Sequence, residues 1–440
     1  MSIQQFRNTI QQVMTKRADA TLDLIDALTI AGHVESPVAL SEEPLFRRVF
    51  SGVYDVLEEA ELDQAALAKV LYEAQPPDSE TIAGYEVYAV DTTPNERPAA
   101  ETLPDRTQLK ASKDEPVRIG HKYSWLARLV KRETSWVAPQ DVCRVKSDIT
   151  DNRVAVEQVK VLDQRSNRPK VVVADSLYGN VVFLAVFLVV TTVAALVRLR
   201  HNLVLYEQPE PKAPGSKGAP RKHGPKFRLS NPRRPPDRQE SVTLFGQTVR
   251  LSAWHGLHFY KLPALVGMVL RVEFLKADGT PRYKRPLCLF WTGSWEVVLS
   301  DLCLMYLWRF ALEHAFRFLK QHLGLNANQS THLHSTELWM WLCALAYWQL
   351  LLMQEVVADY RPAWYRRSSG DAMKPLTPGL VQRAALRFLV ELGTPAATPK
   401  RTGKGTGRPK GYRPAPRQRY AVVKKAARPS RSARKVAAQT

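Results

Sequence analysis

Cysteine is scarce in this chain. Four residues in 440 (Cys143, Cys288, Cys303 and Cys343) stand far apart, and no pair has the spacing of zinc ligands. A disulfide framework is not expected at this size, and a reducing compartment fits. Residues 1–17 lack the apolar core of a signal peptide, so a cytoplasmic setting is expected. Acid is also in short supply: 63 Lys and Arg face 42 Asp and Glu, a formal charge of +21 with pI near 9.9. That balance points to a polyanionic partner, nucleic acid first, with ribosomal packing, an anionic membrane surface or simple solubility as alternatives. Long apolar runs are missing, save one. Residues 181–197 carry no charge, which is at the lower edge of what spans a bilayer. Thr191 and Thr192 divide the run, and Arg198 and Arg200 follow at once, so a buried helix feeding a buried strand accounts for it as well.

What is present falls into five stretches. Residues 1–78 read as helical, with Leu22, Leu24, Ile25, Leu28, Val53, Val56 and Leu57 at three-to-four spacing and no strand-like alternation. Such helices bind DNA or form a packing or dimerisation bundle. Residues 80–202 read as α/β. The run at 85–91 alternates and ends on Asp91; 124–130 and 135–138 flank a turn as a hairpin. A helix is expected over 152–164. The wholly apolar run at 170–174 predicts a strand buried on both faces and ends on Asp175. Another helix and a strand near 194–200 follow. Residues 203–296 open with a stretch rich in proline, glycine and base, read as a linker or a DNA-facing loop. Strand-like runs at 241–251, 265–275 and 286–292 then predict a β-rich insertion. Helices return over 297–395, within 300–358 and again at 379–392. The last stretch, 396–440, carries fourteen Lys and Arg from 400 onward and no acid. It has too little apolar surface to fold on its own, so a disordered tail that holds phosphates is expected.

Two strands ending in Asp could arise from turn preferences alone. The run over 300–322 adds weight. Read as one helix at about 100° per residue, Tyr306, Arg309, Glu313, Arg317 and Lys320 share a stripe about 80° wide. Leu304, Leu307, Trp308, Ala311, Leu312, Ala315, Phe318 and Leu319 face the other way. One acid thus projects from a well-anchored helix among bases. The alternative is an exposed salt bridge between Glu313 and Arg309 or Arg317, a common and weak feature.

The spacing Tyr-x2-Arg-x3-Glu-x6-Lys resembles the YREK signature of bacterial insertion-sequence transposases of the DDE class. The strands ending at Asp91 and Asp175 resemble those that carry the first and second acids of that group. The likeness extends over most of residues 80–395 and is less clear in the amino-terminal helices. It implies an RNase H-like mixed sheet flanked by helices, in line with the element order above, interrupted by the β-rich insertion. It also implies cut-and-paste transposition: cleavage of phosphodiester bonds at the element's ends and transfer of the strands to target DNA. Asp91, Asp175 and Glu313 are then the catalytic acids and hold two Mg²⁺ ions, or Mn²⁺ in their place, with Asp91 bridging the pair. Hard ions of this kind take oxygen ligands, and two of them suit an in-line displacement at phosphorus. Tyr306, Arg309, Arg317 and Lys320 are implied as DNA contacts. The implied partners are double-stranded DNA (transposon ends and target) and a second copy of the chain on that DNA, with no membrane. The implied place is the bacterial cytoplasm, at the nucleoid. The alternative is a relative of a transposase that binds DNA without catalysis or cuts without joining.

Weaker signals have plainer readings. Trp254, Trp291 and Trp295 in the insertion either stack on a base or pack in a core, and packing is favoured. His332 and His334 have no third ligand nearby and are read as loop residues. His121, Arg97, Asp105 and Arg106 cluster around the first acid's strand without an assignable role.

Overall fold

The run Lys170–Ala174 forms a strand whose five residues are all buried, as a wholly apolar segment requires. It lies at the middle of a 13-stranded sheet in the computed structural model, which describes residues 1–109, 116–212, 218–359, 361, 376–400 and 407–424. In chain order the first elements are α1 (Ile3–Gln12), β1 (Met14–Lys16), α2 (Ala18–Ile30), α3 (Ser51–Glu59), β2 (Glu61–Leu62) and α4 (Gln64–Glu73). Then come β3 (Thr81–Ile82), β4 (Tyr85–Glu96), β5 (Thr107–Leu109), β6 (Arg118–Leu129), β7 (Val137–Val145), α5 (Asp151–Asp163), β8 (Lys170–Ala174), α6 (Val181–Leu184) and β9 (Val193–Arg198). The next group is β10 (Val204–Glu207), β11 (Lys226–Arg228), β12 (Arg238–Leu244), β13 (Gln247–Phe259), β14 (Leu262–Phe274) and β15 (Leu287–Trp291). Helices α7 (Leu299–Trp308), α8 (Phe310–Gln321), α9 (Leu333–Met353) and α10 (Pro378–Leu392) follow.

Strand β4 organises the sheet. It pairs antiparallel with β6, which pairs with β7, and it runs parallel to β8, which runs parallel to β9. The hairpin, the helix and the two parallel strands expected over 80–202 are all present. The uncharged run at 181–197 is α6, a short 3-10 turn and β9, a helical piece feeding a buried strand. No helix among the described residues is long and apolar enough to cross a membrane.

The amino-terminal helices pack on the carboxyl-terminal ones. Helix α9 is apolar on every side and almost wholly buried, as such a helix must be. Against it lies α2, which carries Asp26 into the core; Arg7 pairs with that acid, and Gln349 Nε2 donates to it at 3.0 Å. Burial pushes the Asp26 carboxyl up, and the Arg7 charge opposes the shift. Helix α1 begins with a reciprocal cap: Gln5 N–H donates to Ser2 Oγ at 3.2 Å, and Ser2 N–H donates to Gln5 Oε1 at 2.9 Å.

Four sequence expectations change. Residues 1–78 are not purely helical, because β1 and β2 pair as a small ribbon. The run at 241–251 is two strands. Phe245 and Gly246 both have positive φ (51° and 72°), the backbone of a two-residue hairpin turn between Leu244 and Gln247. The insertion also continues the core sheet, since β15 pairs with β9 through Leu289–Arg198, Phe290–Val197 and Trp291–Leu196. Finally, the expected disordered tail is partly docked. Tyr420 and Val423 donate main-chain hydrogen bonds to Glu101 and Arg106 at 2.8 and 2.7 Å. A segment too polar to build a core gains backbone partners from an existing edge instead. The tail's residues 401–406 and 425–440 lie outside the described residues.

The junction between insertion and core leaves no room at Gly267 on β14. A β-carbon there would stand 2.5 Å from the Phe290 ring and 2.6 Å from the Trp291 carbonyl oxygen. We therefore expect Gly267→Ala to lower the unfolding free energy by about 1–3 kcal/mol, read by chemical denaturation. An unchanged midpoint and slope would show that the junction tolerates the extra methyl group.

Candidate active site on two parallel strands and a helix

Parallel pairing matches Val90 on β4 with Ala174 on β8, so Asp91 and Asp175 come next side by side. Strand β8 stops before Asp175, but β4 runs on to Glu96, so Asp91 lies within its strand and not at the end expected for it. Paired strands run about 4.8 Å apart, which sets the two carboxylates side by side. Each is oriented by its own backbone. Asp91 Oδ1 accepts from Thr92 N–H at 2.7 Å, and Asp175 Oδ1 accepts from Leu177 N–H at 2.8 Å. The third acid arrives on α8, which packs across β4, β6 and β7.

Arg309 joins the third acid to the first. Its Nη1 donates to Asp91 Oδ2 at 3.2 Å and its Nη2 to Glu313 Oε1 at 2.6 Å. The expected single helix over 300–322 breaks at this residue into α7 and α8. Hydrogen bonds there tighten to three-residue spacing, from Arg309 N–H to Tyr306 O and from Leu312 N–H to Arg309 O. No proline or glycine lies at the break; it falls on Arg309, whose side chain reaches across to Asp91 on β4.

Electrostatics agree with this geometry. Burial pushes the Asp91 carboxyl up to about 6; Asp175 and Glu313 add to the rise, while Arg309 and the Thr92 N–H oppose it. Burial opposes the charge on Arg309, yet Tyr306, Asp91 and Glu313 hold its pKa above the ordinary value. Tyr306 lies beneath it, the guanidinium carbon 5.8 Å from the ring centre. The Tyr306 hydroxyl is itself raised by burial. Lys320 is lowered by burial, with Glu96 and Asp91 opposing and Arg118 adding to the shift. It thus lies within electrostatic reach of the acids. Arg317, expected on the same stripe, is exposed.

Among the described residues, no three His, Cys, Asp or Glu side chains converge closely enough to hold a metal ion as they stand. Arg309 occupies the position between Asp91 and Glu313 that a cation would take. The donor set nonetheless suits a hard divalent ion: it is all oxygen, and its mutual repulsion appears in the raised Asp91.

The sequence reading passed over Tyr178, which is fully buried and raised well above its ordinary value by burial and by Asp91, Asp151 and Asp175. Its only sequence signal is its place three residues after Asp175. The other flagged residues serve the structure. Arg97 donates to the Asn328 and Ser330 carbonyls at 2.7 and 2.6 Å. Asp105 pairs with Arg144, and His121, held near 4 by burial, bonds the Pro104 carbonyl at 3.0 Å. Trp254 and Trp291 are buried, their ring N–H groups bonded to Arg234 O and Ser294 O. Trp295 is half-buried, 4.8 Å from the His255 ring and under Arg238 at 5.4 Å. His334 bonds the Ala60 carbonyl at 2.9 Å, and His332 precedes α9.

Residues 9–258 match the family described as DDE superfamily endonuclease, a span that includes Asp91 and Asp175 and stops before Glu313. No curated protein matches the chain. Among solved structures it is similar to a chain of the piggyBac transposase synaptic complex with hairpin DNA. The TM-score is 0.40 at 9% identity, covering 90% of this chain and 79% of that one.

A raised Asp91 favours the neutral acid in the folded chain. The stability it contributes is full below its ordinary value of 3.8 and is lost as the pH rises through about 6. In metal-free buffer we expect Asp91→Asn to exceed the parent in stability by about 1–3 kcal/mol near pH 7.5. The gap should close as the pH falls toward about 4, in denaturation series at each pH. A gap that is constant with pH would show that Asp91 titrates normally.

Proposed function

The chain belongs to the family of DDE superfamily endonucleases, and we propose that within it this protein is a cut-and-paste DNA transposase of the insertion-sequence type. The observation that carries the reading is the Arg309 bridge from Asp91 to Glu313, with Asp175 one strand away. Asp91, Asp175 and Glu313 would hold the two divalent ions, Mg²⁺ or Mn²⁺, once Arg309 turns toward DNA. When bound, such ions activate the attacking oxygen and neutralise the leaving one.

The chain's own residues do the rest. The two aspartates are fixed by strand register and by backbone N–H donors, so little reorganisation is needed at the reacting phosphate. Arg309 has a planar fork suited to two phosphate oxygens, and Tyr306 supports it from below. Lys320, half-buried near the end of α8, supplies a further positive charge, and exposed Arg317 meets the DNA farther out. These roles follow the YREK spacing. The strand order β7-β6-β4-β8-β9 supports the RNase H-like reading of the core. Two DNA ends must be joined at once, so a homodimer on DNA in a bacterial cytoplasm completes the proposal.

Supercoiled plasmid carrying the sequences that flank the gene tests it. With Mg²⁺ the parent should cut at the ends and join them to new DNA, while Asp91→Ala falls to background and still binds. Full cutting by Asp91→Ala would reject the mechanism, and cutting without joining would reduce the protein to a nuclease. Lys320→Ala and Arg309→Lys should slow cleavage by on the order of 10²-fold, as losing a charge-stabilising donor does. Wild-type rates with lowered thermal stability would instead make the stripe a structural salt-bridge network.

A further inference from the structure

The carboxyl-terminal basic stretch is docked on the loops that follow β4 and α8. Pro409–Tyr412 close a turn in which Tyr412 N–H donates to Pro409 O at 3.0 Å and Gly411 takes φ 86°, a left-handed backbone that favours glycine. The turn gathers Arg408, Lys410 and Arg413, all exposed, with the Arg408 guanidinium 5.7 Å over the Tyr412 ring. Ten residues on, the segment is anchored. Tyr420 N–H donates to Glu101 O at 2.8 Å, Val423 N–H donates to Arg106 O at 2.7 Å, and Val423 bridges to Thr107 on β5.

Arg106 shows that this anchor is built in. It is 3% exposed, and its guanidinium meets carbonyls alone among the described residues. Nη1 donates to Arg97 O and Pro98 O at 3.2 and 2.8 Å, and Nη2 donates to Tyr420 O at 3.2 Å. Without the segment, a buried charged donor would lose an acceptor. The segment also touches the loop after α8, where Arg417 Nη1 donates to Thr331 Oγ1 at 3.0 Å. It therefore joins the loops that follow β4 and α8, the elements bearing Asp91 and Glu313. Its acidic contact, Arg419 with Glu101 at 3.1 Å, is exposed on both sides and weak. The positive charges around the turn are left facing solvent.

We propose that residues 407–424 form a docked strap that grips the phosphodiester backbone of duplex DNA beside the candidate active site. The proposal rests on the transposase reading for its ligand and differs from a free basic tail in requiring the anchor. Positioned charges release counterions in a fixed register with the cleavage site, whereas a free tail would bind wherever phosphate is found.

The test uses the full chain, a labelled duplex and no divalent metal, with anisotropy across a salt series and hydrogen exchange over 417–424. Val423→Pro removes the N–H at the anchor from a side chain that is 37% exposed, so the core is untouched. It should free the Tyr420 amide to exchange and weaken binding on the order of tenfold at about 0.1 M salt. Replacing Arg408, Lys410 and Arg413 by Gln should weaken binding as much while the amide protection persists, and should lower the salt slope by up to about 3. Val423→Ala should match the parent in both measurements. Unprotected amides in the parent, or parental affinity in both weakened variants, would overturn the strap while leaving the transposase reading intact. A parent that binds no duplex would overturn both.

Discussion

Two carboxylates held by one guanidinium, with a third acid on the neighbouring strand's end, form the constraint on which the structure turns. Burying Asp91 beside Asp175 and Glu313 is unfavourable, and its carboxyl rises to about 6 in consequence. Arg309 offsets that repulsion by bonding two of the acids at once. The arrangement demands precision from distant parts of the chain. A parallel register must place positions 91 and 175 together, and a helix over two hundred residues from Asp91 must present Glu313 and Arg309 to them. Arg309 is the cation that relieves this repulsion here.

The large sheet provides that precision. Because β15 pairs directly with β9, the β-rich insertion is continuous with the strands that carry the acids. Helix α7, which follows β15 closely, packs on β8, β9 and β13. The helix pair bearing Arg309 and Glu313 is therefore seated on core and insertion together. Close contacts such as Gly267 against Phe290 fix β15 against its neighbour β14 within the insertion.

Much of this was legible in the sequence, for physical reasons that differ by element. The run at 170–174 is apolar without interruption, and the run at 85–91 alternates, so both strands could be read from periodicity, although the first continues past Asp91 to Glu96. Helix α5 and the β6–β7 hairpin were legible in the same way. Local pattern gave less where tertiary contacts decide the outcome. The turn at Phe245–Gly246 was missed because phenylalanine is an unusual residue at positive φ. The break at Arg309 has no helix-breaking residue to signal it. The tail's anchor consists of main-chain hydrogen bonds, and these carry no side-chain signature. The roles of Arg97, Arg106 and His121 were invisible because their partners are backbone carbonyls, which carry no side-chain signature.

The claim that the three acids form a divalent cation site is tested most directly by Mn²⁺ binding to the chain with and without duplex DNA, followed by electron paramagnetic resonance. The account predicts Mn²⁺ uptake by the parent that Mg²⁺ competes away, and that is lost in Asp91→Asn and in Asp175→Asn. Uptake that is equal in all three proteins, or absent from the parent both with and without duplex DNA, would contradict it.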